Sequence, residues 1–354
     1  MKYYFPFGEE LKPLMQQDRT PKKVFVLGVY ASAVHARWTT GPRKEDLKCA
    51  AMAVASEPRI FWDGNPEEAA EIISKIKIPE GLGTLKPAGK NLNGPSAKVL
   101  DEHILAPLGF TRKDAWLCDL LPETRLNSHQ AKVIKDEYNP YIKDFGLNEV
   151  TIPERPNVFC DKKRCKEIVA EIEESKSDML VLLGDIPIKQ FLNVVAEVDY
   201  NSLLEYKNQY GYGIFTETAI NGKIYKILPL AHPRQIGALG GHSENWYKEH
   251  KKWEENINKK TMATFYEYKC KGCGYTVNAN PKGKDMVMMG EIHNYLCQDC
   301  KEIVEVLYEY GKKPEKIVCP ECGSEHLQMW NPKTGKCPKC GENLEKTDVV
   351  LMVD

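Results

Sequence analysis

No apolar run in this 354-residue chain approaches the roughly 18 residues that a membrane-crossing helix needs. The first residues, MKYYFPFGEELKPL, carry acids early and lack a continuous apolar stretch, so no secretory leader is expected. A soluble, cytoplasmic protein with no membrane partner is therefore expected. An excess of charge of one sign is missing as well. The formal net charge is −1, which leaves no global basic field to draw nucleic acid, and any such contact needs a local patch. Low-complexity tracts are absent, and the first two thirds show no clear repeat. Of what is present, 42% of the residues are hydrophobic, enough for at least one sizeable core, and the length suggests two or three domains.

The twelve cysteines are unevenly spread. Cys49, Cys118, Cys160 and Cys165 are scattered, whereas the other eight crowd between Cys270 and Cys340 as four Cys-x-x-Cys knuckles. Cytosolic chains use cysteine for metal more than for disulfides. Two thiolates at i and i+3 on a tight turn grip one tetrahedral ion, and a second knuckle completes the set. Taken in chain order, Cys270 and Cys273 pair with Cys297 and Cys300, and Cys319 and Cys322 pair with Cys337 and Cys340. Two structural Zn2+ sites are expected, with Gly272, Gly274, Gly323 and Gly341 easing the turns. A thioredoxin-like redox motif would come singly on a βαβ unit. From Lys259 to Asp354 bases and acids balance at 14 each, and the thiolates add negative charge. That favours a stapling or protein-contact role over nucleic-acid binding.

WYKEHKKWEENINKK (246–260) reads as a helix with Trp246, His250 and Trp253 on one face, ending in a polar linker. It divides the chain into domains 1–258 and 259–354. In the first, apolar runs read as buried strands: KVFVLGVY (23–30), AWLCDLLP (115–122), MLVLLGD (179–185) and IYKILPLAHP (224–233). Helical patterns lie between them, PEEAAEIISKI, SAKVLDEHILAPL and KRCKEIVAEIEESK. Continuous hydrophobicity in strands that alternate with helices predicts an α/β fold, a three-layer α/β/α sandwich around a parallel sheet. Chemistry in such folds gathers at the carboxyl ends of the strands. The second domain reads as a small double zinc ribbon.

The strand ends carry a resemblance. Gly28-Val29-Tyr30-Ala31-Ser32, the stretch from Asn91 to Asn127, MLVLLGD and LAHPRQ (230–235) fall in the order of the uracil-DNA glycosylase superfamily, and together the region from Lys23 to about Trp253 resembles it. The resemblance implies a nucleotide flipped out of DNA, single-stranded or base-damaged, and read in a snug pocket. His232 is implied as the residue that stabilises charge on the departing base, with Arg234 of the same loop and Gly28 of the first loop among the substrate contacts. Several positions depart from the family. Tyr30 and Ala31 stand where a water-positioning acid or Asn and a proline are usual, and a phenol is a poor general base near neutral pH. Asp119 replaces the base-reading Asn. Ionised, it only accepts hydrogen bonds and suits a base with an exocyclic amine; protonated by burial, it donates. Leu92 takes the place of the stacking Phe, with Phe61 and Trp62 as an alternative aromatic wall. Cys160 and Cys165 echo two ligands of the cluster-bearing members, but the N-terminal pair is missing, so no iron–sulfur cluster is expected.

Ser32 to Trp38 reads as a capped helix that brings a hydroxyl, an imidazole and a guanidinium close together. Ser32 would cap it, and its N–H groups with Arg37 would hold a phosphate. His35 is the best substitute for the missing acid. Asp63, Asp185, Asn127, Gln130, the turn Gly240-Gly241-His242-Ser243 and the basic run Lys162, Lys163, Arg164, Lys166 are further candidates, each with an ordinary structural explanation. The function expected is an atypical DNA N-glycosylase. The alternatives are a catalytically silent nucleic-acid reader and an interaction protein that docks a partner through its ribbons.

Overall fold

A computed structural model of the chain describes residues 2–41, 46–89, 91–237, 244–261, 263–281, 284–287, 290–309, 316–333 and 335–353. The turn Gly240-Gly241-His242-Ser243 lies outside them. Two compact units are present, Met1–Trp253 and Glu254–Asp354. Among the described residues, no helix is long and apolar enough to cross a membrane.

The strands of the first unit are β1 (Val24–Tyr30), β2 (Ala33–Thr39), β3 (Leu47–Ser56), β4 (Thr84–Pro87), β5 (Ala115–Leu121), β6 (Met179–Leu183), β7 (Thr216–Ile220) and β8 (Lys223–Leu230). The fold is mixed α/β around a mostly parallel sheet of order β5-β1-β6-β8-β7, in which only β7 runs antiparallel. β1 and β5 are buried at every position but the last, because side chains on both faces meet protein. β7, TETAI, alternates between exposed and partly covered positions, as an edge strand does. The chain leaves β1 for β5 on one side, then returns to β6 on the other. That reversal falls at the carboxyl ends of β1 and β6, the place where ligands of such sheets bind.

A second, antiparallel sheet of order β3-β2-β4 corrects the helix expected over 32–38. Residues 33–39 form β2, paired with β3 as Ala36↔Met52 and Trp38↔Cys49. Register shifts after Val34, Ala36 and Trp38 disguise the two-residue period of a strand. Trp38 anchors the sheet: it is fully buried, and its Nε1–H donates to the Leu82 carbonyl at 2.8 Å. Trp62, Met52, Tyr138 and Phe5 pack in the same core.

The helices that were legible in the sequence carry caps. Asn65 caps Pro66–Ser74 by accepting from Glu68 N at 2.9 Å, and Asp161 caps Lys162–Ser175 by accepting from Arg164 N at 2.7 Å. In the helix Glu244–Thr261, the rings of His250 and Trp253 lie 4.7 Å apart on one face. His250 bridges the Tyr212 hydroxyl and the His103 carbonyl, each at 2.6 Å, and its burial holds its pKa down to about 4.

The second unit is built from β9 (Ala263–Cys270), β10 (Thr276–Ala279), β11 (Lys284–Val287), β12 (Gly290–Cys297), β13 (Ile303–Glu309), β14 (Leu327–Met329) and β15 (Leu344–Val353). They make two small antiparallel sheets, β10-β9-β15 and β11-β12-β13, with β14 paired to β12. The pairing of β9 with β15 joins the two ends of the unit.

Candidate functional site

The carboxyl ends of the parallel strands bring four groups to one edge. Gly28 lies opposite Asp119 in register, Leu27 opposite Leu182, and Leu183 opposite Leu230, so Gly28, Asp119, Gly184 and His232 stand at neighbouring strand ends. Gly28 is required there by contact. A Cβ on it would lie 2.2 Å from Asp119 Oδ1 and 2.7 Å from Phe61 Cζ. Phe61 stands beside Gly28 at the same strand ends, held at φ 47°, a conformation rarely adopted by a bulky residue. Leu92, expected in the stacking position, is 43% exposed.

Asp119 is only 4% exposed, and its carboxylate accepts no hydrogen bond among the described residues. Burial pushes its pKa up to about 7, opposed by the charge of Arg164. That guanidinium is directed elsewhere. Arg164 donates to the carbonyls of Asp119 at 2.8 Å and Leu120 at 3.1 Å, and pairs with Glu171 at 3.1 Å. It thus ties the helix Lys162–Ser175 to the end of β5. One member of the expected basic run, Arg164, is a half-buried structural residue, whereas Lys162, Lys163 and Lys166 are exposed.

A second acid, which the sequence reading did not single out, lies within electrostatic reach. Glu57 follows β3 and is 5% exposed. Burial is the main cause that pushes its pKa up to about 8. The Trp62 backbone N–H and the Ser32 hydroxyl oppose that rise, and the Asp119 charge adds to it. The available signal was an acid placed directly after the apolar run AAMAVAS.

His232 is the N-cap residue of the turn Pro233–Ile236. Its Nδ1 accepts from the Arg234 backbone N–H at 3.2 Å, so the neutral ring carries its proton on Nε2. Burial, with the charges of Arg234 and Arg155, holds its pKa down to about 4, which keeps the ring neutral across the physiological range. His232 N donates to Gln235 Oε1 at 3.1 Å, which fixes the loop. Gly184, at φ 87°, faces the ring's base: a Cβ there would stand 3.4 Å from His232 Cβ.

Tyr30 stacks on Phe159 with centroids 5.7 Å apart, and the Arg155 guanidinium sits 5.3 Å from the Tyr30 ring centre. Arg155 therefore links Tyr30 to His232, whose ring feels its charge. His35 is held differently. Gln130, part of a capping box with Asn127, reaches its Nε2 at 3.1 Å, while Asn93 brackets its backbone at 2.7 and 3.0 Å. Among the described residues, His35 makes no hydrogen bond to Tyr30, Asp119 or His232, and burial lowers its pKa. Ser32 is exposed, and its carbonyl accepts from the Thr124 hydroxyl at 2.6 Å. Arg37 points outward from β2 and Arg234 is likewise exposed. Asp63 pairs with Arg59 at 2.7 Å and Asp185 accepts from Leu203 N at 2.8 Å, so both have structural work. A groove of about 750 Å3 lies elsewhere, at the β7 edge beside Asp199, Tyr210 and Glu217, and includes none of these strand-end residues.

In the second unit the eight cysteines form two four-sulfur groups, and the pairing differs from the chain-order expectation. Cys270 and Cys273 join Cys337 and Cys340, while Cys297 and Cys300 join Cys319 and Cys322. One site is nested inside the other. The cause is strand pairing: Leu344 of β15 lies opposite Cys270, and Leu327 of β14 lies opposite Cys297. In each group all ligand atoms lie within 4.8 Å of one another, with cross-knuckle Sγ–Sγ distances of 3.3 and 3.6 Å in the outer site and 3.6 and 3.8 Å in the inner. Metal–sulfur bonds of about 2.3 Å in a tetrahedron place sulfurs ~3.8 Å apart. Both groups thus fit a metal ion. Glu302 bridges the knuckles of the two sites. It accepts from the Tyr275 hydroxyl at 3.0 Å and from Lys339 at 2.5 Å. In the first unit, Cys160 and Cys165 are buried with sulfurs 3.1 Å apart. Set against known proteins, the chain matches no family model and no curated relative.

Proposed function

We propose that the first unit is a base-binding domain of the uracil-DNA glycosylase type, a three-layer α/β/α fold that receives a flipped nucleotide from DNA. The observation that carries this reading is His232. A half-buried histidine with Nδ1 occupied presents an Nε2–H donor, and a neutral donor at the strand ends suits negative charge developing on a base. Phe61 supplies a stacking face, Asp119 reads the base edge, and Gly28 leaves room for both. Tyr30, Arg155 and Phe159 would line the side where the sugar and phosphate enter, with Arg234, Arg37 and Ser32 as outer contacts. In hydrolysis the C1′–N bond would break with its electron pair leaving on the base, which His232 stabilises, while water adds to the oxocarbenium carbon C1′ and gives up a proton.

A second reading is a reader without hydrolysis. It is favoured by the stacked phenol at Tyr30 and by the occupation of His35 Nε2 by Gln130. For the second unit we propose a double zinc ribbon. Four thiolates per site select a soft, tetrahedral ion, and Zn2+ fits without redox chemistry. Its role would be to staple the unit and to present a protein-docking face.

The test is incubation of the full chain with single- and double-stranded oligonucleotides, each carrying one uracil, hypoxanthine, xanthine or guanine, followed by detection of abasic sites. Base release that His232→Ala abolishes supports the glycosylase. Binding without release supports the reader. Neither binding nor release refutes the base-pocket reading.

A further inference from the structure

Two of the cysteines in the first unit meet. Cys160 and Cys165 are 6% and 2% exposed, and their sulfurs lie 3.1 Å apart, inside the sum of two sulfur radii. Each thiol also faces a carbonyl, Cys160 that of Asp161 at 3.7 Å and Cys165 that of Gln190 at 3.4 Å. Among the described residues, groups of three or more metal-ligating side chains occur only as the two four-sulfur groups of the second unit. The pair therefore lacks the further side-chain ligand that a metal site needs.

The helix explains why the two sulfurs meet. Asp161 is the N-cap of Lys162–Ser175, so Cys160 precedes the cap and Cys165 is the fourth helical residue. At these positions an apolar pair commonly packs across the first turn and fixes the entry of the chain. Here the pair is two thiols. The Cys165 N–H donates to the Asp161 carbonyl at 2.9 Å, which closes the turn that brings them together.

We propose that Cys160 and Cys165 form a redox site, in which a low-molecular-weight disulfide oxidises the two thiols to a bridge across the first turn of this helix. The sulfurs need to approach by about 1 Å to reach disulfide bonding distance. One cysteine thiolate attacks a sulfur of the small disulfide and expels a thiol, and the second cysteine then displaces the other half. The two cysteines lose two electrons and two protons, and the small disulfide takes them up as two thiols. Phe159, next to Cys160, stacks on Tyr30, so the bridge pins the backbone beside that stack. Burial pushes the Cys160 thiol up, which keeps thiolate scarce and exchange slow near neutral pH. The site thus answers to a sustained change of redox poise rather than a brief pulse. This proposal stands apart from the base-pocket reading.

Lys162, Lys163 and Arg164 separate the two cysteines, so trypsin parts them unless a disulfide joins the fragments. The full chain, supplied with Zn2+, is held at mildly alkaline pH in mixtures of oxidised and reduced glutathione until its composition is constant. It is then acid-quenched, alkylated, digested with trypsin and mapped by mass spectrometry without reduction. The two cysteine fragments should appear as one linked species, two hydrogens lighter than their sum, that a reducing phosphine splits. A synthetic peptide of residues 156–169 is the unfolded reference. The folded chain should be half-bridged at an oxidised-to-reduced glutathione ratio about tenfold or more below that of the peptide, because the fold already holds the sulfurs together. Cys160→Ser and Cys165→Ser should each abolish the linked species. Free thiols at every ratio, glutathione trapped on either cysteine without closure, or bridging no easier than in the peptide overturns the proposal. So does a bridge from either cysteine to Cys118.

Discussion

Gly28 of β1 and Asp119 of β5 face each other in register, and the missing side chain of the glycine makes room for the carboxyl: a Cβ at residue 28 would come within 2.2 Å of Asp119 Oδ1. Gly28→Ala should therefore displace both Asp119 and Phe61. Overpacking of this kind costs about 1–3 kcal/mol. Urea unfolding measures that loss, and base binding should fall at least tenfold. A variant as stable as the parent, with unchanged binding, would show that Asp119 swings freely and that the close approach has no role.

Four groups with large shifts contribute to the pH dependence of stability in the first unit. Glu57 and Asp119 titrate at about 8 and about 7 when folded, raised by burial from 4.5 and 3.8. The folded chain holds the extra protons, so their contribution to stability declines as pH rises through that range. His232 and His250 titrate at about 4 when folded, lowered by burial from 6.5. Between those values the unfolded chain binds more protons, so their contribution falls as pH drops below 6.5 and is constant above it. The two effects oppose each other below pH 6.5, and above it, of these four, only the carboxyls act. Stability should fall by on the order of 2 kcal/mol from there to pH 8. Glu57→Gln should flatten this slope in urea titrations at several pH values, and a flat profile in the parent chain contradicts the burial argument.

The four cysteine knuckles end alike, with one exception. Gly274, Gly323 and Gly341 take φ of 76°, 72° and 82° while their N–H groups bond back to the first cysteine of each knuckle. The fourth uses Lys301 at φ 56°, with its N–H 3.1 Å from the Cys297 carbonyl. A left-handed backbone costs an L-residue roughly 1–2 kcal/mol, and glycine avoids it at some loss of chain entropy. Lys301→Gly should raise the stability of the metal-loaded unit by about 0.5–1 kcal/mol, measured by thermal unfolding. Destabilisation would mean that the lysine side chain has a role of its own.

Nesting of the two metal sites predicts an asymmetry in metal content. Cys340→Ser should open the outer site and loosen the pairing of β9 with β15, yet leave the inner site closed by the pairing of β12 with β14. Zinc analysis of that variant should give about one ion per chain, against two for the parent. Loss of both ions would make the inner site dependent on the outer. Retention of both would argue against four-sulfur ligation of the outer ion.

Much of this architecture can be read along the chain. The runs that became β1, β5, β6 and β8 are apolar at nearly every position because both faces are buried. The helix carrying His250 and Trp253 shows its face in the spacing. β2 and β3 were harder to see. LKCAAMAVAS is rich in alanine, which favours helix, and the bulges of β2 break the alternation that marks a strand. The Gly28, Asp119 and His232 positions were visible as strand-end residues. Glu57 and Arg155 were not, since each lies in a loop that only the folded chain carries to the strand ends.

The sequence alone determined where the sulfur ligands are and where the strands of the parallel sheet run, because knuckle spacing and continuous hydrophobicity are local properties. Tertiary structure decided which knuckles share an ion and which loop supplies Phe61 and the second acid. Those choices rest on pairings between distant segments, β9 with β15, β12 with β14 and β1 with β5. Local sequence limits which segments can pair, and burial and strand register, acting over the whole unit, select among them.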